Sequence, residues 1–263
     1  MGMCGRFSLS VDPAELAKLL SLARPSQSTV GFQPRYNIAP TQPVLAARMR
    51  SKNANKSGNE AQSSETNTAS SAYEWVYLRW GLIPSWADDP SIGNRLINAR
   101  AESAAKKPAF RSAMKRHRCV IPADAFYEWQ KLTSGRSTAK QPYAVRAHDG
   151  EPFAMAGLWE RWHDDQNDEV IESCTILTTD ANETVASLHD RMPVILSPDA
   201  ITTWLDVEHT DAEAAQRILH PAPDDLLTAY PVDRRVNKPQ NDDPDVLRPI
   251  EADDQAGDQI KLF

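Results

Sequence analysis

The chain has 263 residues, 41% hydrophobic and 25% charged, with 29 Lys+Arg against 36 Asp+Glu and a net charge of −7. These values are ordinary for a globular protein, and the length suits one large domain or two small ones with a substantial core. No apolar run reaches membrane-span length and the start lacks a signal-peptide core, so no membrane association is expected. Three irregularly spaced cysteines argue against a disulfide framework and for a reducing, cytoplasmic setting.

The acidic total hides an asymmetry. Residues 1–150 carry 21 Lys+Arg and 11 Asp+Glu, whereas residues 151–263 carry 8 and 25. A basic first half permits a local phosphate-binding surface, and two halves that simply neutralise each other fit the count equally well.

In chain order, MGMCGRF places Cys4 directly after a second start methionine, Met3. Initiation at Met3 and its removal would leave Cys4 first, with a free α-amine beside its thiol; a stray cysteine in a frayed end is the plainer alternative. In SVDPAELAKLL, Asp12 as N-cap, Pro13 in the first turn and Glu15 predict a helix. PVLAARM and YEWVYLRWG have strand character. Residues 51–71 between them have almost no apolar side chain, which predicts a disordered insertion in a single domain, flanked by strands as in a hairpin.

Further strands are expected at RCVIPA, PYAVRAH, PFAMAGLWERW and ESCTILTT, rich in β-branched and aromatic residues. Asp180 with Glu183, Ser197 with Pro198 and Thr210 with Glu213 announce helices. The mixed order, without βαβ alternation, predicts an α+β fold with a mainly antiparallel, β-rich core flanked by short helices. From Pro244 onward the chain is acidic and sparse and reads as a tail.

Four stretches hold residues suited to chemistry: Cys4-Gly5-Arg6; Asn98, Arg100 and Glu102 in LINARAES; Glu128 in CVIPADAFYEW; and His189, Asp190 and Arg191 in SLHDRMPVIL. Each has a plain alternative. Asn98 could cap a helix begun by ARAES, Glu128 could be a surface carboxylate, and His189 could complement a helix dipole. Cys4, Cys119 and Cys174 with the histidines show no CxxC or HxxxH spacing, so neither metal nor cofactor is expected.

Taken together, MCGRF, RYNIAP, RWGLIPSW, INARAE, RCVIPADAFYEW, SLHDRMPVIL and YPVDRRVN resemble, in order, the SRAP family of SOS response-associated peptidases. The resemblance runs from Met3 to about Pro249. It implies a single α+β domain over residues 1–249, followed by an acidic tail over 250–263. It also implies recognition of abasic sites in single-stranded DNA, with a covalent DNA–protein crosslink, by a monomer at the nucleoid or replication fork. The peptidase of the name refers to autoproteolysis that would expose Cys4.

That function gives the terminal cysteine a chemical purpose. An abasic deoxyribose opens to an aldehyde at C1′. An α-amine with reference pKa near ~7.7–8.0 can add to it as a Schiff base, and a thiol near ~8.5 can then close a five-membered thiazolidine. An internal cysteine cannot, because its nitrogen is an amide. By resemblance, Glu128 is the acid/base, His189 assists proton transfer to the opened sugar and crosslink reversal, and Asn98 orients the reacting group. β-Elimination of the 3′ phosphate, an AP-lyase reaction, would compete with ring closure. Arg6, Arg100 and Arg191 are the candidates for phosphate contacts, while Asn37, Pro40 and Trp86 would support or kink the strand, Trp86 by stacking on a base. Asn237 falls in a family motif without an evident physical role.

The family begins Met-Cys, whereas here Met1-Gly2 precede, so a start two codons early or a processing step is expected. The last five residues, QIKLF, resemble the Q-x-x-L-F peptide that bacterial replication proteins insert into the sliding clamp, with Gln259, Leu262 and Phe263 as the contacts. Two competing readings stay open on the residues alone: an N-terminal nucleophile amidohydrolase, since one class of amidotransferase also begins Met-Cys-Gly, and a non-catalytic DNA-binding module.

Overall fold

The computed structural model describes residues 4–19, 31–50, 72–134, 137–164 and 167–250. The insertion expected at 51–71 and the QIKLF tail lie outside these residues.

Thirteen strands and six short helices are seen among the described residues. In order they are β1 (Phe7–Leu9), α1 (Pro13–Leu19), β2 (Arg35–Ile38), β3 (Pro43–Met49), β4 (Tyr73–Trp80), β5 (Asn98–Arg100), α2 (Ala101–Ala104) and α3 (Arg111–Arg116). There follow β6 (Arg118–Ala123), β7 (Ala125–Ser134), β8 (Ser137–Ala147), β9 (Phe153–Asp164) and β10 (Glu169–Asp180). The chain continues with α4 (Glu183–Ala186), β11 (Arg191–Pro193), β12 (Ile195–Leu196), α5 (Pro198–Leu205), α6 (Ala212–Arg217) and β13 (Leu227–Pro231). Every strand read from the sequence is present, and the fold is α+β.

One sheet has the order β13-β8-β7-β1-β2 and is antiparallel throughout. The second runs β11-β10-β4-β3-β6-β9-β12 and closes on itself, because β10 also pairs with β9. A small barrel results. Closure makes the middle strands internal on both faces, so β6 is buried at all six positions, as its unbroken apolar run requires. The fit is tight at Gly157, where a Cβ would stand 2.9 Å from Cys119 Sγ; only glycine allows β9 to pass there.

Most ladders are antiparallel, including the β3–β4 hairpin from Pro43↔Arg79 to Met49↔Tyr73. The exceptions are β4 and β5, which both run parallel to β10. β5 is thereby inserted beside β10 with Asn98 opposite Ile176. That pairing places Asn98 in a strand, not at the cap of α2.

The helix starts show how local chemistry selects among neighbouring polar residues. Asp12 accepts from Ala14 N at α1, as expected. At α4 the cap is Asn182, not Asp180, since Asn182 Oδ1 reaches Val185 N. At α6 it is Asp211, not Thr210. The tail reading at Pro244 also needs correction: Pro244–Leu247 form a 3-10 turn, Val246 is fully buried, and Pro249 bridges to Val232.

Candidate functional site

The site lies where the two sheets meet. β1 pairs with β7 only at Phe7↔Phe126 and Ser8↔Ala125, after which Tyr127 N donates to Arg6 O. Beyond Tyr127, no strand among the described residues pairs with this edge of β7. The short β1 thus leaves an open strand edge, and a cleft of about 950 Å³ runs along it. Gly5, Arg6, Glu128, Trp129, His189 and Asn237 are among its walls.

Cys4 is tied to one of these walls, Glu128, without lining the cleft itself. It is fully buried, and its backbone N–H donates to Glu128 Oε1 at 2.6 Å. Asn98 Nδ2 reaches the Cys4 carbonyl at 3.4 Å. Cys4 has φ 30°, a left-handed value that a non-glycine residue rarely adopts and that costs about 1–3 kcal/mol. Three residues far apart in sequence therefore converge on one strained peptide.

Glu128 is 3% exposed, and burial lifts its carboxyl to about 7, opposed by the N–H groups of Cys4 and Trp129. Asp190 adds to the rise and Lys140 counters it. A carboxyl poised there exchanges protons in either direction near neutrality. The Cys4 thiol is pushed well above its ordinary value, first by burial and then by the Glu128 charge.

His189 lies on the opposite wall, between α4 and β11. Its Nδ1 accepts from Arg191 N at 3.1 Å and lies 2.8 Å from Asp190 Oδ1. Gln130 Nε2 donates to Ser187 O at 3.2 Å, tying β7 to the turn that carries His189.

The residues expected on DNA separate into two groups. Trp86 is 60% exposed, Arg100 is exposed, and Pro40 is half-buried. The others face inward. Arg191 is buried, and its guanidinium bonds both Glu102 oxygens at 2.7 Å, the Thr178 carbonyl at 2.8 Å, and Asp180. Its geometry corrects the phosphate role, because the residue is buried and both terminal nitrogens are held by protein oxygens. Asn37 is fully buried and donates to the carbonyls of Val236, Lys238 and Asn241, so it is a strut and not a contact surface. Arg6 lines the cleft, but Nη1 is held by Asn37 Oδ1 at 2.7 Å and Val236 O at 2.8 Å.

Asn237 acquires a role that sequence reasoning missed. Its Oδ1 accepts from Trp129 Nε1 at 2.7 Å, and the Arg6 guanidinium lies 5.8 Å from the Trp129 ring centroid. The indole is thereby fixed at the cleft wall beside Glu128. The YPVDRRVN motif, unexplained in sequence, was the available signal.

A two-sheet α+β domain with a buried Cys–Glu contact at its seam is a fold with known relatives. The sequence model of the SOS response associated peptidase (SRAP) family matches residues 3–239, and the chain belongs to that family. It is 36% identical over 247 residues to the abasic site processing protein YoqW of Bacillus subtilis, covering 93% of this chain and 99% of that one. It is 32% identical over 282 residues to the abasic site processing protein HMCES of Gallus gallus, covering 95% and 78%. A crystal structure of a protein from Bacteroides thetaiotaomicron superposes with TM-score 0.76 at 25% identity, covering 94% of this chain and 100% of that one. No helix among the described residues is long and apolar enough to cross a membrane.

Proposed function

We propose that this chain captures abasic sites in single-stranded DNA by covalent attachment through Cys4. The observation that carries the reading is the 2.6 Å contact between the Cys4 nitrogen and the Glu128 carboxylate inside a buried, strained site. Its relatives' description as abasic site processing proteins supplies the substrate class.

The chemistry requires Cys4 to be the first residue of the working chain, through initiation at Met3 and its removal, or through self-processing. The amine then adds to the C1′ aldehyde and loses water to give an imine. The thiol adds across C=N, sulfur to carbon and proton to nitrogen, closing the thiazolidine. One water leaves and no oxidant is consumed. Glu128 takes the proton of the attacking amine and returns one to the departing hydroxyl. His189 serves the opened sugar oxygen and the reverse reaction, and Asn98 holds the Cys4 carbonyl. Ring closure competes with β-elimination of the 3′ phosphate, so fast closure protects the strand. Trp86 and Arg100 are exposed for contacts with the strand. The tail, through Gln259, Leu262 and Phe263, recruits the protein to the sliding clamp.

The test is incubation with single-stranded DNA bearing one abasic site, read on a denaturing gel, with the protein's N-terminus established by mass spectrometry. A stable covalent band that vanishes in Cys4→Ser is expected. Protein that verifiably begins at Cys4 and forms no band would sink the reading. Glutaminase activity would favour the amidohydrolase, and purely reversible binding the non-catalytic module.

A further inference from the structure

The segment from β5 through α2 and α3 carries a charge pattern that the proposed chemistry does not use. Between Ser103 and His117 stand Lys106, Lys107, Arg111, Lys115 and Arg116 and no acidic residue, in a chain whose net charge is −7. All five are exposed, while Phe110, Ala113 and Met114 bury the other face of the same turns. Arg111 N donates to Lys107 O at 2.9 Å, so the helical register of α3 reaches back to Lys107. Lys107, Arg111 and Lys115 therefore follow one another at every fourth residue along one face, rising ~6 Å per step. Like charges so spaced repel. The bordering carboxylates are engaged elsewhere, Glu102 by Arg191 and Glu160 by His117, and among the described residues none of the three cations forms an ion pair.

The fold holds this row near the site. α2 follows directly on β5, whose Asn98 reaches the Cys4 carbonyl, and α3 leads into β6. Asn98 faces Ile176, Ile176 faces Gly157 and Gly157 faces Cys119. These are three ladder steps of ~4.8 Å each, about 14 Å in all. Both feet of the α2–α3 arch are thus anchored beside the Cys4–Glu128 contact, with the exposed Arg100 at the first foot.

We infer that Lys107, Arg111 and Lys115 hold the phosphate backbone of the DNA single strand beyond the lesion, as a second contact surface outside the cleft. The inference rests on the abasic-site reading and extends the strand's path from Asn98 and Arg100 over the α2–α3 arch. Cations that repel along a helix face are stabilised by a polyanion, which releases condensed counterions in exchange. A contact to phosphate alone carries no sequence preference, as a sensor of lesions in any sequence requires. The competing role is solvation, a charged face that only keeps the protein soluble.

The affinity of the full chain for an undamaged single-stranded oligonucleotide, measured across a salt series, separates the two. Lys107→Gln, Arg111→Gln and Lys115→Gln combined should flatten the slope of log K against log salt by about 2, which is about 0.7 for each charge withdrawn from the strand. Lys107→Arg, Arg111→Lys and Lys115→Arg combined should keep the wild-type slope. Thermal melting verifies folding: glutamine forms helix about as well as lysine and arginine, and relief of like charges should leave the midpoint unchanged or higher. A glutamine variant with the wild-type slope overturns the inference and leaves the row as a solvated face. Flattening in both variants traces the loss to shape instead of charge and overturns it too. Wild-type protein that begins at Cys4, binds single strands and never attaches to a lesion overturns the abasic-site reading and leaves the second contact surface standing.

Discussion

The backbone N–H of Arg191 donates to Nδ1 of His189 at 3.1 Å, while the Arg191 side chain is anchored on Glu102, Asp180 and the Thr178 carbonyl. One residue thus helps to fix the place of the imidazole. Arg191→Lys cannot hold Asp180 with one nitrogen and Glu102 with another, and it leaves the buried Thr178 carbonyl poorly satisfied, a cost of about 1–3 kcal/mol. A melting midpoint lower by several degrees and slower crosslinking are expected, with the salt dependence of DNA binding unaltered. Unchanged melting with a flatter salt dependence would return Arg191 to a phosphate.

Glu128 gives the fold a pH signature. In the chain that retains Met3, burial holds the carboxyl at about 7 against an ordinary 4.5. Between those values the folded protein keeps a proton that the unfolded chain has released. The stability tied to that proton is complete below about 4.5 and drains away as pH rises through 7. Glu128→Gln should match the wild type in stability near pH 4.5 and exceed it at pH 8, by up to about 3 kcal/mol. Denaturant titrations at the two pH values read the difference; equal displacement at both would show that the carboxyl is not raised. The same variant should crosslink slowly while binding DNA nearly as well, and lost binding would make Glu128 structural.

Trp86 is 60% exposed and owes little to packing. Trp86→Ala should leave the melting midpoint in place and weaken single-strand binding by about 1–3 kcal/mol, the range for one base stacked on an aromatic ring. A fluorescence titration measures it. Equal affinity would remove the indole from the DNA path.

The QIKLF ending predicts that an isolated peptide of these residues binds the bacterial sliding clamp. Leu262→Ala with Phe263→Ala should abolish binding, as surface plasmon resonance would record. Binding that survives both changes excludes the proposal.

The sequence disclosed what depends on short-range pattern. Runs such as RCVIPA and ESCTILTT announced β6 and β10 through their β-branched residues, and Asp12 announced α1. At α4 and α6, adjacent polar residues competed, and only backbone geometry decided for Asn182 and Asp211. Barrel closure and the parallel β4–β10 and β5–β10 pairings were not legible, because no local pattern encodes which edges meet. The site divides the same way. Cys4 and Glu128, 124 residues apart, were linked by the ordered family motifs. The inward turn of Arg191 was hidden, since its partner Glu102 lies 89 residues away and an exposed arginine has the same spelling.

The sulfur of Cys4 presents no surface to solvent, and burial keeps it in the thiol form. Peroxides attack accessible thiolates, so this residue offers them neither the anion nor the approach. A thiol so placed is sheltered from general oxidants, and only a ligand shaped to enter the seam between the sheets could reach it.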